Sequence, residues 1–433
     1  MKYLDTDKQT CIDLSITDGV QDEQALSSLF LKTETKQGKS LMLEWIMYPL
    51  SDWDMICKRQ QLVAWDTLPE LPLNEEELDF IEYYLSYRDQ IREANVIMSC
   101  ATIIDRLVRY DSKRYVICRG VELVVCMLHH LEKWITGLQE NVPQLWRETV
   151  NLVNDTLHGS ELESVLQQTS EEDTRFSNYV IDKYDYLFRC TRLLSLKELL
   201  SVIYMLDVCR TAHRVAKERN LCCSPNIVWS MDFSVEGIVH PFVKNAQENN
   251  WEMYQGNICL FTGSNMAGKS TTLKALTMAV WLVHCGLPAP VKSMICPLYE
   301  GIYTSINLPD SLRDGRSHFM AEVLRIKEVL EKMGKGKRCL VVLDEMFRGT
   351  NAKDAFEASV AVNEILKDFT NCHFLVSTHI LEYAKAFERD NSCCFYYMEA
   401  EIKEDRFVCP HRLQKGISEA RVGYWLVKKL LMC

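Results

Sequence analysis

The chain runs to 433 residues with 47% hydrophobic and 25% charged side chains, enough for a large core and for two or three domains rather than one. A formal charge of −11 excludes a broad basic coat, so any nucleic-acid contact has to come from local Lys/Arg patches. No apolar run reaches the ~18 residues of a membrane span, and the opening MKYLDTDKQTC lacks the basic and apolar regions of a signal peptide, which predicts a cytoplasmic protein with no membrane partner.

Eighteen cysteines are scattered through apolar runs, among them Cys118, Cys126, Cys259 and Cys339, and no CxxC pair occurs. They read as reduced core residues, and the adjacent pairs Cys222–Cys223 and Cys393–Cys394 lack the ligand spacing of a zinc site. From about residue 20 to 220, apolar residues recur at three and four, as in Glu75 to Val108 and Val121 to Leu138, and strand signals are scarce. A helical region is predicted there. Leu194 to Asn220 reads as one long helix, with Leu199, Ile203 and Leu206 on one side and Arg210, Arg214 and Lys217 as a basic stripe, either a solvated face or a DNA contact.

Past Pro225 short apolar or β-branched runs alternate with helical segments, the pattern of an α/β domain. The fold expected is therefore multidomain, α followed by α/β, with 1–225 helical and 226–433 α/β and the boundary near Ser224-Pro225-Asn226. The predicted strands are Ile258 to Thr262, Cys339 to Leu343 and His373 to Thr378. The predicted helices are Ser270 to Cys285, stopped by Gly286 and Pro288, and Ala355 to Phe369, opened by Asp354 with Glu357 three residues on.

Gly263-Ser264-Asn265-Met266-Ala267-Gly268-Lys269-Ser270 satisfies the Walker A pattern GxxxxGK[ST] and sits after a predicted strand and before a predicted helix. Backbone N–H groups of such a turn wrap phosphates, and glycines permit the dihedrals and the close approach. The helix start aims its positive dipole end at the same anion. Lys269 would reach the terminal phosphates of ATP, and the Ser270 hydroxyl would bind Mg²⁺. Thr271 belongs to the same loop.

Leu340-Val341-Val342-Leu343-Asp344-Glu345 supplies a buried strand ending in two carboxylates, about 80 residues after the glycine loop. Asp344 can hold the Mg²⁺ shell while Glu345 polarises an attacking water; taken alone, the doublet is also an ordinary acidic strand end. His379, after the strand His373 to Thr378, lies where open α/β sheets keep their ligands and could sense the γ-phosphate, or it is structural.

With these elements in order the chain resembles the MutS family of DNA mismatch-repair ATPases, whose nucleotide domain is of the ABC class. TGSNMAGKST is similar to the family's TGPNMGGKST, with Ser264 for proline and Ala267 for glycine; LDEMFRGTNAKDA is similar to LDELGRGTSTxDG, with Phe347 for glycine; and STHILEYA is similar to ATHYHEL. Ser311 to Glu322 resembles the signature D.l..G.STFM.E, with His318 for threonine. Gly237 to Phe242 resembles GRHP, Leu413 to Ser418 the closing L..G...S, and Leu43 to Leu50 the L..WL..PL that starts the family's helical core. The likeness is specific over 237 to 425 and collinear over 38 to 225. Some 37 residues precede Gly38, too few for the family's mismatch-reading domain, and the short helical region implies a reduced or missing clamp tip. Mismatch recognition is therefore not carried over.

The resemblance implies a helical core and lever region before an ABC-type P-loop ATPase domain, and two such domains paired head to tail around ATP and Mg²⁺. It places Ser317 opposite the partner's γ-phosphate, although an ordinary N-cap is its other reading, and Arg348 to Asn351 in an interface loop or a plain polar turn. Asn265 would touch phosphate or only shape its turn, and Phe242 would stack on adenine or pack in the core. The function expected is a homodimeric, Mg²⁺-dependent ATP hydrolase that clamps DNA, branched or damaged rather than mismatched. The alternative is an ATP-gated adaptor acting on protein or RNA, such as a ribosome, without gripping DNA.

Overall fold

In the computed structural model the described residues are 2–16, 24–88, 112–138, 142–170, 176–264, 267–306, 318–334, 336–399, 401–403 and 406–418. The chain divides into two compact units, one gathering Met1–Leu29, Glu44–Ala64 and His213–Cys433, the other Phe30–Leu43 and Trp65–Ala212.

Before the first strand come the helices α1 (Lys8–Asp13), α2 (Lys36–Met47), α3 (Trp53–Ala64), α4 (Glu75–Ser86), α5 (Ser112–Gly137), α6 (Gln144–His158), α7 (Glu161–Gln168), α8 (Asn178–Tyr186) and α9 (Leu193–Arg219). Among the described residues the second unit holds no strand, and its core joins Tyr84 of α4, Val124 and Leu128 of α5, Val153 of α6, Val165 of α7 and Ile203 of α9. α4 begins at Glu75 as predicted. The Asn74 side chain accepts from the Glu77 N–H and the Glu77 carboxylate accepts from the Asn74 N–H, a closed capping box. It stops at Ser86 rather than running on toward Val108, because Tyr87 turns extended and its carbonyl is taken at 2.8 Å by Arg189, itself paired with Asp185. Residues 89–108 lie outside the described residues. The long helix predicted from Leu194 is α9, within a residue at each end.

The first unit is mixed α/β. Its strands are β1 (Asn226–Val228), β2 (Phe233–Ile238), β3 (Asn249–Met253), β4 (Ile258–Thr262), β5 (Ser293–Pro297), β6 (Gly301–Ser305), β7 (Cys339–Asp344), β8 (His373–Ser377), β9 (Cys393–Met398), β10 (Glu401–Lys403), β11 (Arg406–Val408) and β12 (Leu413–Lys415). Its later helices are α10 (Lys269–Cys285), α11 (His318–Met333), α12 (Ala352–Leu366) and α13 (Leu381–Ala386). One sheet runs β12-β9-β4-β8-β7-β6, parallel except for β12; a smaller one runs β1-β5-β2-β3; and β10 pairs with β11 as a hairpin.

The strands β4, β7 and β8 are buried along their whole length, as the middle of a parallel sheet covered on both faces must be, and these are the three predicted. On one face Ile326 and Val329 of α11, Leu366 of α12 and Tyr383 of α13 pack on Leu260, Val341 and Val376. α12 starts at Ala352, three residues before the predicted start. Asn351, not Asp354, is its cap, accepting the Asp354 N–H at 3.0 Å, and Asp354 instead adds negative charge to the first turn.

The N-terminal segment closes the sheet's open side. The Asp5 N–H donates to the Glu300 carbonyl at 2.8 Å and the Ile302 N–H to the Asp5 carbonyl at 3.0 Å, which covers the free edge of β6. Asp7 caps α1 and takes both guanidinium nitrogens of Arg325, at 2.7 and 3.1 Å. Lys332 adds a second cation to it at 3.1 Å. Against the effect of burial, Arg325 and the hydrogen bonds from Thr10 hold the Asp7 carboxyl well below its ordinary range. Among the described residues no helix is long and apolar enough to cross a membrane, and the cysteines are free.

Candidate functional site

Three neighbouring strands build the site. β8 lies between β4 and β7, all parallel, so the carboxyl ends of β4, β8 and β7 open on the same edge of the sheet. From β4 the chain passes through the glycine loop into α10, whose first residue is Lys269. Gly263 and Gly268 carry φ of +137° and +106°, a region that side chains disfavour. A Cβ on Gly268 would also stand 3.2 Å from His411 Nδ1, which accounts for a bare backbone at this turn. Ala267 is buried; Ser264 is half-buried, its hydroxyl without a hydrogen-bond partner among the described residues. Asn265 and Met266 lie outside the described residues.

Lys269 is buried and curls back over its own loop, donating to the carbonyls of Gly263 at 2.8 Å and Ser264 at 3.1 Å, with its Nζ 3.3 Å from Glu345 Oε1. The Ser270 hydroxyl donates to Asp344 Oδ2 at 2.6 Å. Ser377, at the end of β8, donates from its hydroxyl to Asp344 Oδ1 and accepts the Glu345 N–H at 3.1 Å. Glu345 therefore leaves β7 in a left-handed turn, φ +48°, that brings its carboxylate back over the loop.

Cations surround that carboxylate. His379 Nδ1 lies 3.6 Å away, Lys269 3.3 Å and Arg348 Nε 3.0 Å. The contact with His379, then the charges of Lys269 and Arg348, hold the Glu345 carboxyl down to about 2 against the opposing effect of burial. The chain thus brings together Gly263, Gly268, Lys269, Ser270, Asp344, Glu345 and His379, which lie up to 116 residues apart (379 − 263). Arg348 turns inward onto Glu345, and Asn351 caps α12. Ser317 and the signature stretch before it lie outside the described residues.

Phe347 also has positive φ, +64°, at the position where the resembling motif carries glycine. An aromatic residue is costly there, and burial offsets the cost: the ring is 2% exposed and lies 5.3 Å from the Phe319 ring.

A cleft of about 450 Å³ opens beside Gly268 and Thr271, lined by Val243, Lys244, Met398 and His411. Its lining is mixed, with Lys244 and His411 beside Val243 and Met398. Phe242 is half-buried with its ring 6.1 Å from that of His240, while the next two residues reach the cleft. His411 and Met398 escaped the sequence reading. His411 donates to the Ala267 carbonyl at 3.0 Å across 144 residues, and its only local signal is its place just before the closing Leu413 motif.

The donor set suits a hard, partly hydrated cation: a hydroxyl and a carboxylate, with further oxygens to come from phosphate and water. Among the described residues no group of three or more His, Cys, Asp or Glu side chains could hold a metal by itself.

Such a site, at the strand ends of a parallel α/β sheet with a glycine turn opening a helix, defines a class of proteins that hold anionic ligands. Residues 259–431 match the family model for MutS domain V. The chain is similar to the DNA mismatch repair protein MutS of Shouchella clausii, 29% identical over 241 residues, which are 54% of this chain and 27% of that protein. It is also similar to the MutS of Aquifex pyrophilus, 31% identical over 192 residues, 44% of this chain and 22% of that protein. The chain spans about a quarter of the length of these relatives.

Proposed function

We propose that the chain is a Mg²⁺-dependent ATP hydrolase of the ABC-type P-loop class, working as a homodimer that clamps branched or damaged DNA. The observation that carries this reading is the meeting of Lys269, Ser270, Asp344, Glu345 and His379 at the ends of β4, β7 and β8, with Ser270 2.6 Å from Asp344 and Lys269 3.3 Å from Glu345.

The loop N–H groups and the start of α10 receive the phosphates, and Lys269 swings from Glu345 and its loop carbonyls to the terminal phosphate oxygens. The base lies in the cleft of Val243, Met398 and His411, with Phe242 at its edge. Ser270 and Asp344 would hold Mg²⁺, which when bound supplies charge to balance the phosphates. Glu345 orients the attacking water. A carboxyl held at about 2 is a weak base, which is tolerable because the transition state of phosphoryl transfer is loose and asks mostly for positioning. His379 would sit at the γ-phosphate, and Ser317 of a second copy would complete the site. The helical stretch before about residue 225 would act as the lever around DNA, and residues 226–433 as the ATPase domain.

Phosphate release tests this directly. Glu345→Gln should keep ATP binding, lower turnover by at least roughly 100-fold and trap the dimer in sedimentation runs. Binding to forked and junction DNA should weaken steeply with salt as phosphate contacts are lost. Turnover without salt-sensitive DNA binding would replace the clamp by an adaptor for protein or RNA; absence of turnover in the unaltered protein would reject the reading as a whole.

A further inference from the structure

We infer that Ser377 is a positioning residue for the acidic pair, setting Asp344 for the metal and Glu345 for water through a single hydroxyl. The inference rests on the reading of the site as an Mg²⁺–nucleotide centre.

Ser377 is fully buried, and its hydroxyl is used in both directions. It donates to Asp344 Oδ1 and accepts the Glu345 N–H at 3.1 Å. The same N–H is also bonded to the Ser377 carbonyl at 3.1 Å, so β8 holds the first residue beyond β7 at two points. Asp344 and Ser377 are register partners in the parallel pair, which leaves the hydroxyl little choice of acceptor.

The two oxygens of Asp344 then have separate tasks. Oδ1 is held by the sheet through Ser377, and Oδ2 accepts from Ser270 at 2.6 Å. With its proton directed to Oδ2, the Ser270 oxygen keeps its lone pairs for a cation. Without Ser377, Oδ1 becomes a buried acceptor with no sheet donor, and the carboxylate can rotate about χ2 and release Ser270. Glu345 loses less, since its N–H keeps the Ser377 carbonyl, but its turn at φ +48° is held by one bond in place of two. The motif this segment resembles, ATH, has alanine here and offers no such hydroxyl, so the device belongs to STH as it stands in this chain.

The test is the Mg²⁺ dependence of nucleotide binding, read with a fluorescent ATP analogue on the full chain. In EDTA, Ser377→Ala should bind the analogue within about twofold of the unaltered protein; the Mg²⁺ concentration for half-maximal tightening should rise roughly tenfold, the size expected for a hydrogen bond to a charged group. Adding Ser377→Ala to Asp344→Asn should change the Mg²⁺ response no further, because Ser377 acts through the carboxylate. An unchanged Mg²⁺ response in Ser377→Ala would overturn the inference. So would an equal loss with and without Mg²⁺, which marks a packing defect, or a full further loss in the Asp344→Asn background. If the unaltered protein fails to bind the analogue at all, the nucleotide reading falls first and this inference with it; if binding is intact and only the Mg²⁺ response stays put, the inference alone fails.

Discussion

Acidification should destabilise the first unit through two histidines that do no chemistry. His284 and His373 are buried, and burial is the chief cause that pulls each down from 6.5 to about 4. The His284 ring is built into the fold as a neutral group: Nδ1 donates to the Leu50 carbonyl at 2.6 Å, and Nε2 accepts the Tyr299 N–H at 3.4 Å. A second ring proton would meet that N–H head on. His373 Nδ1 lies 2.7 Å from the Tyr299 hydroxyl. Because the folded values lie below the unfolded ones, the unfolded chain binds more protons between pH 6.5 and 4. Stability is therefore complete above pH 6.5 and declines as the pH falls through that window. Linkage puts the loss at about 2 kcal/mol per histidine at pH 5 and about 3 kcal/mol per histidine below pH 4. Together, about 4 kcal/mol at pH 5 is a large share of the 5–15 kcal/mol that a domain usually holds. Urea titrations followed by tryptophan emission at pH 7.5 and 5.0 measure it. Replacing both histidines with glutamine should remove at least half of the pH dependence. If the double variant loses as much stability between pH 7.5 and 5.0 as the unaltered protein, the buried rings are not the cause.

Other outcomes are as definite. At position 347 the usual order of small residues should invert: Phe347→Gly should cost about 2–3 kcal/mol, the lost aromatic burial less the relieved left-handed strain, and Phe347→Ala about 1 kcal/mol more, both read by urea midpoint. A glycine variant less stable than the alanine one would show that the backbone carries no strain there. Arg325→Met should destabilise by about 3–5 kcal/mol because, among the described residues, it leaves the partly buried Asp7 carboxylate with Lys332 as its one remaining cation, and adding Asp7→Asn should recover part of the loss. Equal stability of the single and double variants would refute the pairing argument. His411→Ala should weaken nucleotide binding about three- to tenfold by calorimetry with little change in kcat, as expected for a ring that packs on the base; unaltered affinity would move the base elsewhere.

What could be read from the chain alone was local. A strand, a glycine turn and a helix occupy consecutive residues, and the positive φ values of Gly263 and Gly268 exclude most other residues there, so Lys269 and Ser270 could be placed by spacing. The strands β4, β7 and β8 declared themselves because strands buried on both faces are continuously apolar. By contrast β3, β5 and β9 are only partly buried along their length, and in five or six residues that pattern does not stand out from a loop. Left to the tertiary structure was which strand lies beside which. Apolar contact is non-directional, and any order of three buried strands would satisfy it; only the observed one, with β8 in the middle, puts Ser377 against Asp344 and Glu345. Long-range partners were equally silent. Asp7 meets Arg325 across 318 residues and His284 meets Leu50 across 234, and neither residue carries a local mark of the other. Sequence settles what a few adjacent residues must do with their own backbone and charge; the closing of the chain upon itself chooses which distant groups pay for one another's burial.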